Sequence, residues 1–402
     1  MDRAGFEPVI PNLRKPRFKY SRAKRCTSAP RANAHKQADA THLSWWGTAR
    51  ERTVVEFLVF GCSLDVLDAP EKVAMKVAFL DGLERGLVDK DLALDLYDLL
   101  LGRLAGLEGL SEGGRLGLES HLTPRPALKD RDRLNAREFG EFLDSGGCDR
   151  VAVELRDFVR ERVLPDRPLL LGVDHSLTGG VLEALSGEAG EGELALVVFD
   201  SHFDAVPTSI RKNAFTVGSL AADSWRIGTL PESYNCGTWI ARILDREIVD
   251  PGNVAVLGVS DHPCTRARPE EREGVAAYRE AYLALLERGV RVVSKRDIRR
   301  MGPREAVREA LGGLEGKRIY ISLDADLGSG EEVRAVRFLD TIGLSVDEVL
   351  GLARVLREWL GSTGSPIAGL DVVEVDVHLA DIPNSIDRTV EMCAAWLREL
   401  LG

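Results

Sequence analysis

The stretch LALVVFDSHFD, residues 194–204, joins a run of six apolar residues to a polar motif that begins where the run ends. Uniformly apolar runs of this length are typical of strands buried on both faces of a parallel sheet. Side chains of an extended chain alternate between two faces, so Asp200, His202 and Asp204 are expected to point the same way. The stretch therefore predicts a buried strand that ends in three convergent polar ligands.

Similar apolar runs recur along the chain and alternate with amphipathic segments. Strands are predicted at residues 54–60, 169–172, 194–199, 254–259, 290–293, 319–323 and 367–373. Helices are predicted at residues 71–84, 91–104, 149–163, 233–246, 270–288, 304–311, 345–360 and 385–401. This order predicts an α/β fold in a single domain, with a doubly wound, mostly parallel sheet and helices on both faces.

Composition excludes several classes of protein. The 402 residues are 44% hydrophobic and 29% charged, the balance of a globular protein with ample core material. The net charge of −11 argues against nucleic-acid binding by the main domain, and no uncharged apolar stretch reaches the roughly 20 residues of a membrane span. The six cysteines are scattered without a CxxC pair, which indicates free thiols and a cytoplasmic location.

Charge and composition divide the chain into a tail and a domain. Residues 1–50 hold eleven Lys and Arg against three acids, a net charge of +8, and show no sustained hydrophobic period. We therefore predict a basic, disordered tail over residues 1–52, with a transit peptide or a nucleic-acid-binding arm as alternatives. The α/β domain is expected over residues 53–402, with a helical or loop excursion at about 105–148.

Polar motifs follow four of the predicted strands directly. They are GVDHS at 172–176, DSHFD at 200–204, DAD at 324–326 and EVD at 374–376. The carboxyl ends of parallel strands meet at one edge of a sheet, where ligands of α/β proteins bind. These motifs therefore predict a site at that edge.

The predicted site contains more negative charge than a protein leaves unbalanced. Four converging aspartates repel one another, and two divalent cations would balance their charge while both histidines stay neutral. Carboxylate oxygens with two imidazoles and no thiolate favour Mn²⁺ over a structural zinc ion. The alternatives are that each DxD is a solvated loop or helix cap, and that His175 is a satisfied core histidine. The absence of GxxxxGK[ST], GxGxxG and GxSxG motifs weakens nucleotide-binding and serine-hydrolase interpretations.

The motifs GVDHS, DSHFD and SLDAD, followed by VVEVD, resemble those of the ureohydrolase family of arginases, agmatinases and related guanidino- or formimino-hydrolases. The resemblance covers about residues 54–401 and implies an arginase-like fold with two Mn²⁺ ions per subunit. It implies that one ion is held by His175, Asp200, Asp204 and Asp324. It implies that the other is held by His202, Asp200, Asp324 and Asp326, so that Asp200 and Asp324 bridge. Glu374 matches the glutamate that pairs with the substrate guanidinium.

The chemistry implied is metal-dependent hydrolysis of a linear amidine. Two ions about 3.5–4 Å apart share a water and lower its pKa, and the resulting hydroxide attacks the guanidinium carbon. Asp326 is expected to pass a proton to the leaving amine, and Glu374 to orient the cation. The expected partners are a small cationic guanidino substrate, with agmatine ahead of arginine, and further copies of the chain in a homo-oligomer. The products would be urea and an amine.

Some positions depart from the family pattern. Cys236 stands where members carry a histidine, and residues 327–334 replace the usual Asp-Pro loop that shapes the substrate pocket. His262, which follows the predicted strand 254–259, is the candidate substitute as proton shuttle, and the adjacent Asp261 is a candidate for binding a cationic substrate. Two other functions remain open: hydrolysis of a formimino or other C–N bond on the same metals, and a metal-binding relative without turnover.

Overall fold

A computed structural model describes residues 57–89, 95–190, 192–215, 234–264, 266, 272–328, 330, 332–340, 342–380 and 388–402. The predicted tail over residues 1–52 lies outside these ranges. Residues 53–402 form one compact unit.

The centre of this unit is an eight-stranded, all-parallel sheet with the strand order β2-β1-β3-β8-β7-β4-β5-β6 in the part of the chain that is described. The strands are β1 (Phe57–Cys62), β2 (Leu110–Arg115), β3 (Arg167–Gly172), β4 (Leu194–Phe199), β5 (Val254–Val259), β6 (Arg291–Ser294), β7 (Arg318–Asp324) and β8 (Ile367–Val373). Strands β4 and β5 are buried at every position, because helices cover both faces of the sheet. The doubly wound α/β fold predicted from the apolar runs is confirmed.

Helices pack on both faces and form two hydrophobic cores, one on each side of the sheet. They are α1 (Pro70–Glu84), α2 (Leu96–Arg103), α3 (Ala136–Asp144), α4 (Gly147–Phe158), α5 (Leu177–Ser186), α6 (Thr208–Phe215), α7 (Trp239–Asp245), α8 (Glu273–Glu287), α9 (Lys295–Met301), α10 (Pro303–Leu311), α11 (Val346–Thr363), α12 (Val377–Ala380) and α13 (Thr389–Leu401). None of these helices combines the length and hydrophobicity that a bilayer span requires.

Two expectations need correction. The excursion at 105–148 contains the strand β2, whose sequence LSEGGR carries no apolar run; as an edge strand it pairs only with β1 and is largely exposed. The helix expected at 233–246 begins only at Trp239, because residues 235–238 form a turn in which the Asn235 carbonyl accepts the backbone N–H of Thr238 at 3.1 Å.

The topology brings distant parts of the chain to one edge. Strands β3, β8, β7 and β4 are neighbours in the middle of the sheet, and each of the four predicted motifs follows one of them. Gly258 in β5 permits close packing beside this edge: its φ is +111°, and a Cβ there would lie 2.8 Å from the carbonyl oxygen of Asp200. The sheet therefore positions all four motifs within a single region.

Candidate metal centre

Six side chains from three strands converge at the carboxyl edge of the sheet, and we call them the metal cluster. They are His175, which follows β3, Asp200, His202 and Asp204, which follow β4, and Asp324 and Asp326, which end and follow β7. All are buried except His202, whose side chain is 27% exposed. The predicted ligand residues are therefore brought together.

His175 faces three aspartates. Its Nδ1 lies 3.4 Å from Asp200 Oδ2, 3.5 Å from Asp204 Oδ2 and 3.2 Å from Asp324 Oδ2. His175, Asp200 and Asp324 each offer a ligand atom, and the three atoms lie within 4.8 Å of one another. This triplet is a candidate site for one ion.

A second triplet lies beside the first. His202 Nδ1 lies 2.8 Å from Asp326 Oδ2 and 3.6 Å from Asp200 Oδ1. Asp200, His202 and Asp326 again offer ligand atoms within 4.8 Å of one another. Asp200 belongs to both triplets, as a bridging carboxylate would.

The metal cluster has the electrostatics of a site made for cations. Burial and the nearby carboxylate of Asp200 raise the pKa of Asp204 to about 7. Burial, Asp326 and Asp200 raise the pKa of Asp324 well above its usual value. Burial opposes the charged form of His175, yet Asp200 and Asp324 outweigh it and raise its pKa. Excess negative charge is thus concentrated in a buried space.

Several polar atoms in this space lack partners. Among the described residues, His175 Nδ1, Asp200 Oδ2 and Asp326 Oδ2 are buried and accept or donate no hydrogen bond. Buried polar atoms are nearly always satisfied, so three orphans in one cluster indicate that a further group completes them. Imidazole nitrogens and carboxylate oxygens suit divalent cations, and the residues therefore fit a metal centre.

A chain of hydrogen bonds behind His175 fixes its orientation. Its Nε2 lies 2.9 Å from the hydroxyl of Ser322, which donates to Asp371 Oδ1 at 2.6 Å. Thr178 and Tyr320 both donate to the other oxygen of Asp371 at 2.8 Å. This network directs Nδ1 toward the aspartates, the arrangement typical of metal-binding histidines.

The hydrogen-bonded support of His175 was not predicted from the sequence. Asp371 is an acidic residue inside the apolar run of β8 and is fully buried. A carboxylate in the middle of a buried strand is itself a signal that it has buried partners. Trp239 was missed as well, and its indole packs on the ring of His175 with centroids 4.6 Å apart.

Glu374, predicted to orient the substrate, lies against the metal cluster in an unusual backbone conformation. Its φ is +62°, a region that non-glycine residues rarely adopt and that is often found at functional sites. Its Oε1 accepts the backbone N–H of His175 at 2.8 Å. Burial raises the pKa of Glu374 to about 8, although the neighbouring Arg337 lowers it.

Glu374 also belongs to a group of paired charges that we call the Arg337 cluster. Its members are Asp65, Lys76, Asp174, Arg337 and Glu374. Arg337 Nη1 donates to Asp174 Oδ2 at 2.9 Å and to Glu374 Oε1 at 3.0 Å. Arg337 Nε lies 3.5 Å from Asp65 Oδ1, and Lys76 Nζ lies 3.2 Å from Asp65 Oδ2. Nothing in the sequence pattern predicted this arginine.

The remaining predicted residues lie around these two clusters. Cys236 Sγ lies within 4.8 Å of carboxylate oxygens of Asp174 and Glu374, and burial raises the pKa of its thiol well above the usual value. Asp261 Oδ2 is held by Arg211 at 3.0 Å, and its Oδ1 accepts the N–H of Phe203 at 2.9 Å. Asp261 is thus already bound to a cation of the chain.

Arg211 also reaches the metal cluster, whereas His262 is exposed. Arg211 Nη1 donates to Asp204 Oδ1 at 2.8 Å, which leaves the other oxygen of Asp204 facing His175. His262 is exposed in the segment after β5. In the described part of the chain, no hydrogen bond or ion pair joins His262 to the metal cluster.

Comparison with known proteins agrees with this geometry. A sequence model of the arginase family matches residues 128–402, about two thirds of the chain. The chain belongs to the arginase family. The resemblance seen in the motifs is thereby confirmed, and arginase-family members are hydrolases of guanidino and amidino compounds.

Solved structures of arginase-family proteins share the fold. Arginase from Bacillus cereus is 19% identical, with a TM-score of 0.54 over 86% of this chain and 98% of its own. Arginase from Bacillus caldovelox is 18% identical, with a TM-score of 0.53 over 86% and 98%. Formimidoylglutamase from Bacillus subtilis is 16% identical, with a TM-score of 0.50 over 90% and 95%. No curated protein sequence matches the chain significantly.

Proposed function

We propose that this arginase-family protein is a two-manganese hydrolase that cleaves a C–N bond of a linear amidine, a guanidino compound being the first candidate. The observation that carries the proposal is the metal cluster, in which two histidines and four aspartates converge and three buried ligand atoms lack partners. Buried carboxylates and imidazoles without hydrogen bonds destabilise the folded chain unless a cation compensates them.

The residues divide between two ions. His175, Asp200, Asp204 and Asp324 would hold one, and His202, Asp200, Asp324 and Asp326 would hold the other. Oxygen-rich ligands with two imidazoles support Mn²⁺. When bound, such a pair of ions supplies a hydroxide nucleophile at neutral pH and polarises the carbon that it attacks.

Two carboxylates of the chain would handle protons and orientation. Asp326 Oδ2 lies 2.8 Å from His202 Nδ1 at the more exposed side of the metal cluster, where it would carry a proton to the leaving amine. Glu374, fixed by the N–H of His175, would orient the planar group of the substrate with its free oxygen. The products from a guanidino substrate would be urea and an amine.

Among guanidino compounds, agmatine ranks ahead of arginine. The sequence after Asp204 shows no Asn and Ser pattern that clearly matches the arginase contacts to the head group of an amino acid. We further propose a cytoplasmic location, which is supported by free cysteines within the described residues. We also propose a homo-oligomer, whose size light scattering would measure.

Hydrolysis of a formimino or acylamine C–N bond is the second candidate. The contact of Arg337 with Glu374 favours the acylamine, because a resident cation on Glu374 opposes a cationic amidine and an acylamine is neutral. A relative that binds metal without turnover is the alternative outcome of the same experiment.

The experiment is a panel of substrates assayed with manganese-loaded and chelator-stripped protein. We expect amine release from at least one guanidino, formimino or acylamine compound, complete dependence on metal, and recovery when Mn²⁺ is returned. Full activity in stripped protein would contradict the proposal. Metal binding without any turnover would identify the non-catalytic relative.

Proton delivery needs a test of its own. A neutral thiol at Cys236 is a poor proton donor at pH 7, so we retain His262 as the proposed shuttle. His262→Ala should then slow turnover by about 10- to 100-fold, and Cys236→His should partly restore the rate. An unchanged rate in His262→Ala between pH 5 and 8 would exclude the shuttle.

A further inference from the structure

The chain places a guanidinium of its own on Glu374. Arg337 Nη1 donates to Glu374 and to Asp174, and the Arg337 side chain is only 2% exposed. Water therefore screens these contacts little, and the pairing is strong. The carboxylate that would receive a guanidino substrate already carries the same chemical group.

The backbone fixes Arg337 in this position. Its N–H donates to the carbonyl oxygen of Glu374 at 2.9 Å, so the two paired side chains belong to two paired segments of backbone. The N–H of Asp376 donates in turn to the carbonyl of Ala335 at 2.8 Å. Arg337 is thus part of the wall of the site and does not resemble a mobile surface arginine.

Two donors and one acceptor remain on this pair. Within the described residues, Nε and Nη2 of Arg337 and Oε2 of Glu374 are buried and have no hydrogen-bond partner, although Nε faces Asp65 Oδ1 at 3.5 Å. A single hydrogen bond, from Nη1 to Oε1, joins the two planar groups. A ligand that satisfies Nη2 of Arg337 and Oε2 of Glu374 must offer one acceptor and one donor.

This requirement separates neutral from cationic groups. A ureido or carboxamide group offers a carbonyl oxygen to Arg337 and an N–H to Glu374. A guanidinium offers donors alone, so Nη2 of Arg337 would stay unpartnered and two positive charges would be close together. Two like charges in contact in a partly desolvated site reduce affinity by about 10- to 100-fold.

We propose that Arg337 determines specificity, forming with Glu374 a donor–acceptor pair that binds a neutral ureido or carboxamide group and disfavours guanidinium. The inference rests on the proposed C–N hydrolase function and favours its second candidate, a neutral acylamine-type bond, over a guanidino substrate. Water would add across the C–N bond: a C–O bond forms, the C–N bond breaks, and the leaving amine takes the proton.

Two compounds of nearly identical shape test the inference. Agmatine and N-carbamoylputrescine share the same four-carbon amine, but the first ends in a guanidinium and the second in a neutral ureido group. Their binding to the full-length, manganese-loaded protein is measured by calorimetry. We expect N-carbamoylputrescine to bind at least about tenfold tighter. Tighter binding of agmatine by the wild type, or binding of neither compound, would overturn the proposal.

Variants locate the effect at Arg337. The double variant Arg337→Met, Asp174→Asn removes one positive and one negative charge, so the net charge is kept. It should reverse the preference, shifting the ratio of the two affinities about 100-fold toward agmatine. Arg354→Met, which removes an exposed arginine paired with Glu399, should leave the ratio unchanged. A folded double variant with the wild-type ratio would overturn the proposal.

A second variant covers the case in which the double variant does not fold. Arg337→Lys keeps the positive charge but loses the planar guanidinium, so it should weaken N-carbamoylputrescine about tenfold and leave agmatine weak. A preference for agmatine in Arg337→Lys would contradict the inference. Because binding is measured without turnover, failure of the hydrolase proposal is recognised separately, as metal-loaded protein that cleaves no C–N substrate.

Discussion

Two groups of buried charges lie side by side at the carboxyl edge of the sheet, and they are neutralised in different ways. In the metal cluster, four aspartates face two histidines, and His175, Asp200 and Asp326 each keep an unpartnered atom. In the Arg337 cluster, three carboxylates are paired with Arg337 and Lys76. The first group needs cations from outside, whereas the second obtains them from the chain. Buried acidic residues alone therefore do not define a metal site; a larger excess of carboxylates over the cations of the chain does.

Asp200→Asn should have the largest effect of the variants considered, and it acts on the metal cluster. Asp200 is the one residue shared by both ligand triplets, so its loss removes charge from both candidate ions. We expect turnover to fall by at least about 1,000-fold, beyond the 10–100-fold typical of changes outside the ligand set. Assays and calorimetric Mn²⁺ titrations measure the effect, with Asp347→Asn, at an exposed position in the first turn of α11, as the control. Two ions bound with wild-type affinity would contradict the assignment.

Asp371→Asn should weaken the metal cluster without touching a ligand. The change loosens the chain from Asp371 through Ser322 to His175, so we expect Mn²⁺ affinity to fall about 10–100-fold. Thr178→Val is the matched control, because it removes a hydrogen bond to Asp371 but leaves the bond from Ser322. Equal losses of metal affinity in both variants would show a general loss of packing.

Asp65→Asn tests the Arg337 cluster through stability and pH. Burial opposes ionisation of Asp65, but Lys76 and Arg337 outweigh it and lower its pKa from 3.8 to about 2. The folded state therefore favours the charged form, and the stabilisation is present above pH 4 and lost as pH falls through 2. We expect Asp65→Asn to reduce the free energy of unfolding by about 2 kcal/mol at pH 7.

The difference between Asp65→Asn and wild type should shrink as pH falls from 4 to 2, because Asp65 becomes protonated over this range. Denaturant unfolding at several pH values measures it, and Asp347→Asn again serves as the exposed control. A difference that is constant with pH would mean that the two basic residues do not hold Asp65 ionised.

Deletion of residues 1–48 should have the smallest effect. Both clusters lie beyond residue 60, and the deleted segment shows no hydrophobic period in its sequence. We expect kcat to be unchanged and the melting temperature to stay within about 2 °C. A large fall in either would show that these residues stabilise the domain or its site.

The sequence predicts the sheet well where burial is complete. Strands β4 and β5 are uniformly apolar, and β8 is apolar apart from Asp371, because both faces of these strands are covered, so their positions follow from composition. Strand β2 has no such signal, because an exposed edge strand need not be apolar. The predicted start of α7 was also wrong, because the turn before it is stabilised by local hydrogen bonds and has no hydrophobic period that would distinguish it from a helix.

Some residues of the site can likewise be predicted from the sequence, and others cannot. Ligand residues that directly follow buried strands can be predicted from the sequence, because the topology brings the carboxyl ends of parallel strands together. The place of Arg337 in the site cannot be predicted in this way, because its pairing with Asp65 and Asp174 joins residues far apart in sequence. Such contacts depend on how loops pack over the sheet edge, and no local pattern records them.

The position of β8 has a consequence for the order of folding. It is the final strand in the described chain, yet it lies between β3 and β7 and joins the two halves of the sheet. Leu370 pairs with both Leu169 and Ile321, so the larger of these two contacts spans 201 residues. Contacts between such distant residues form slowly. During synthesis, His175 and Asp200 therefore belong to separate half-sheets, and we expect the triplet of His175, Asp200 and Asp324 to assemble only when the last strand inserts.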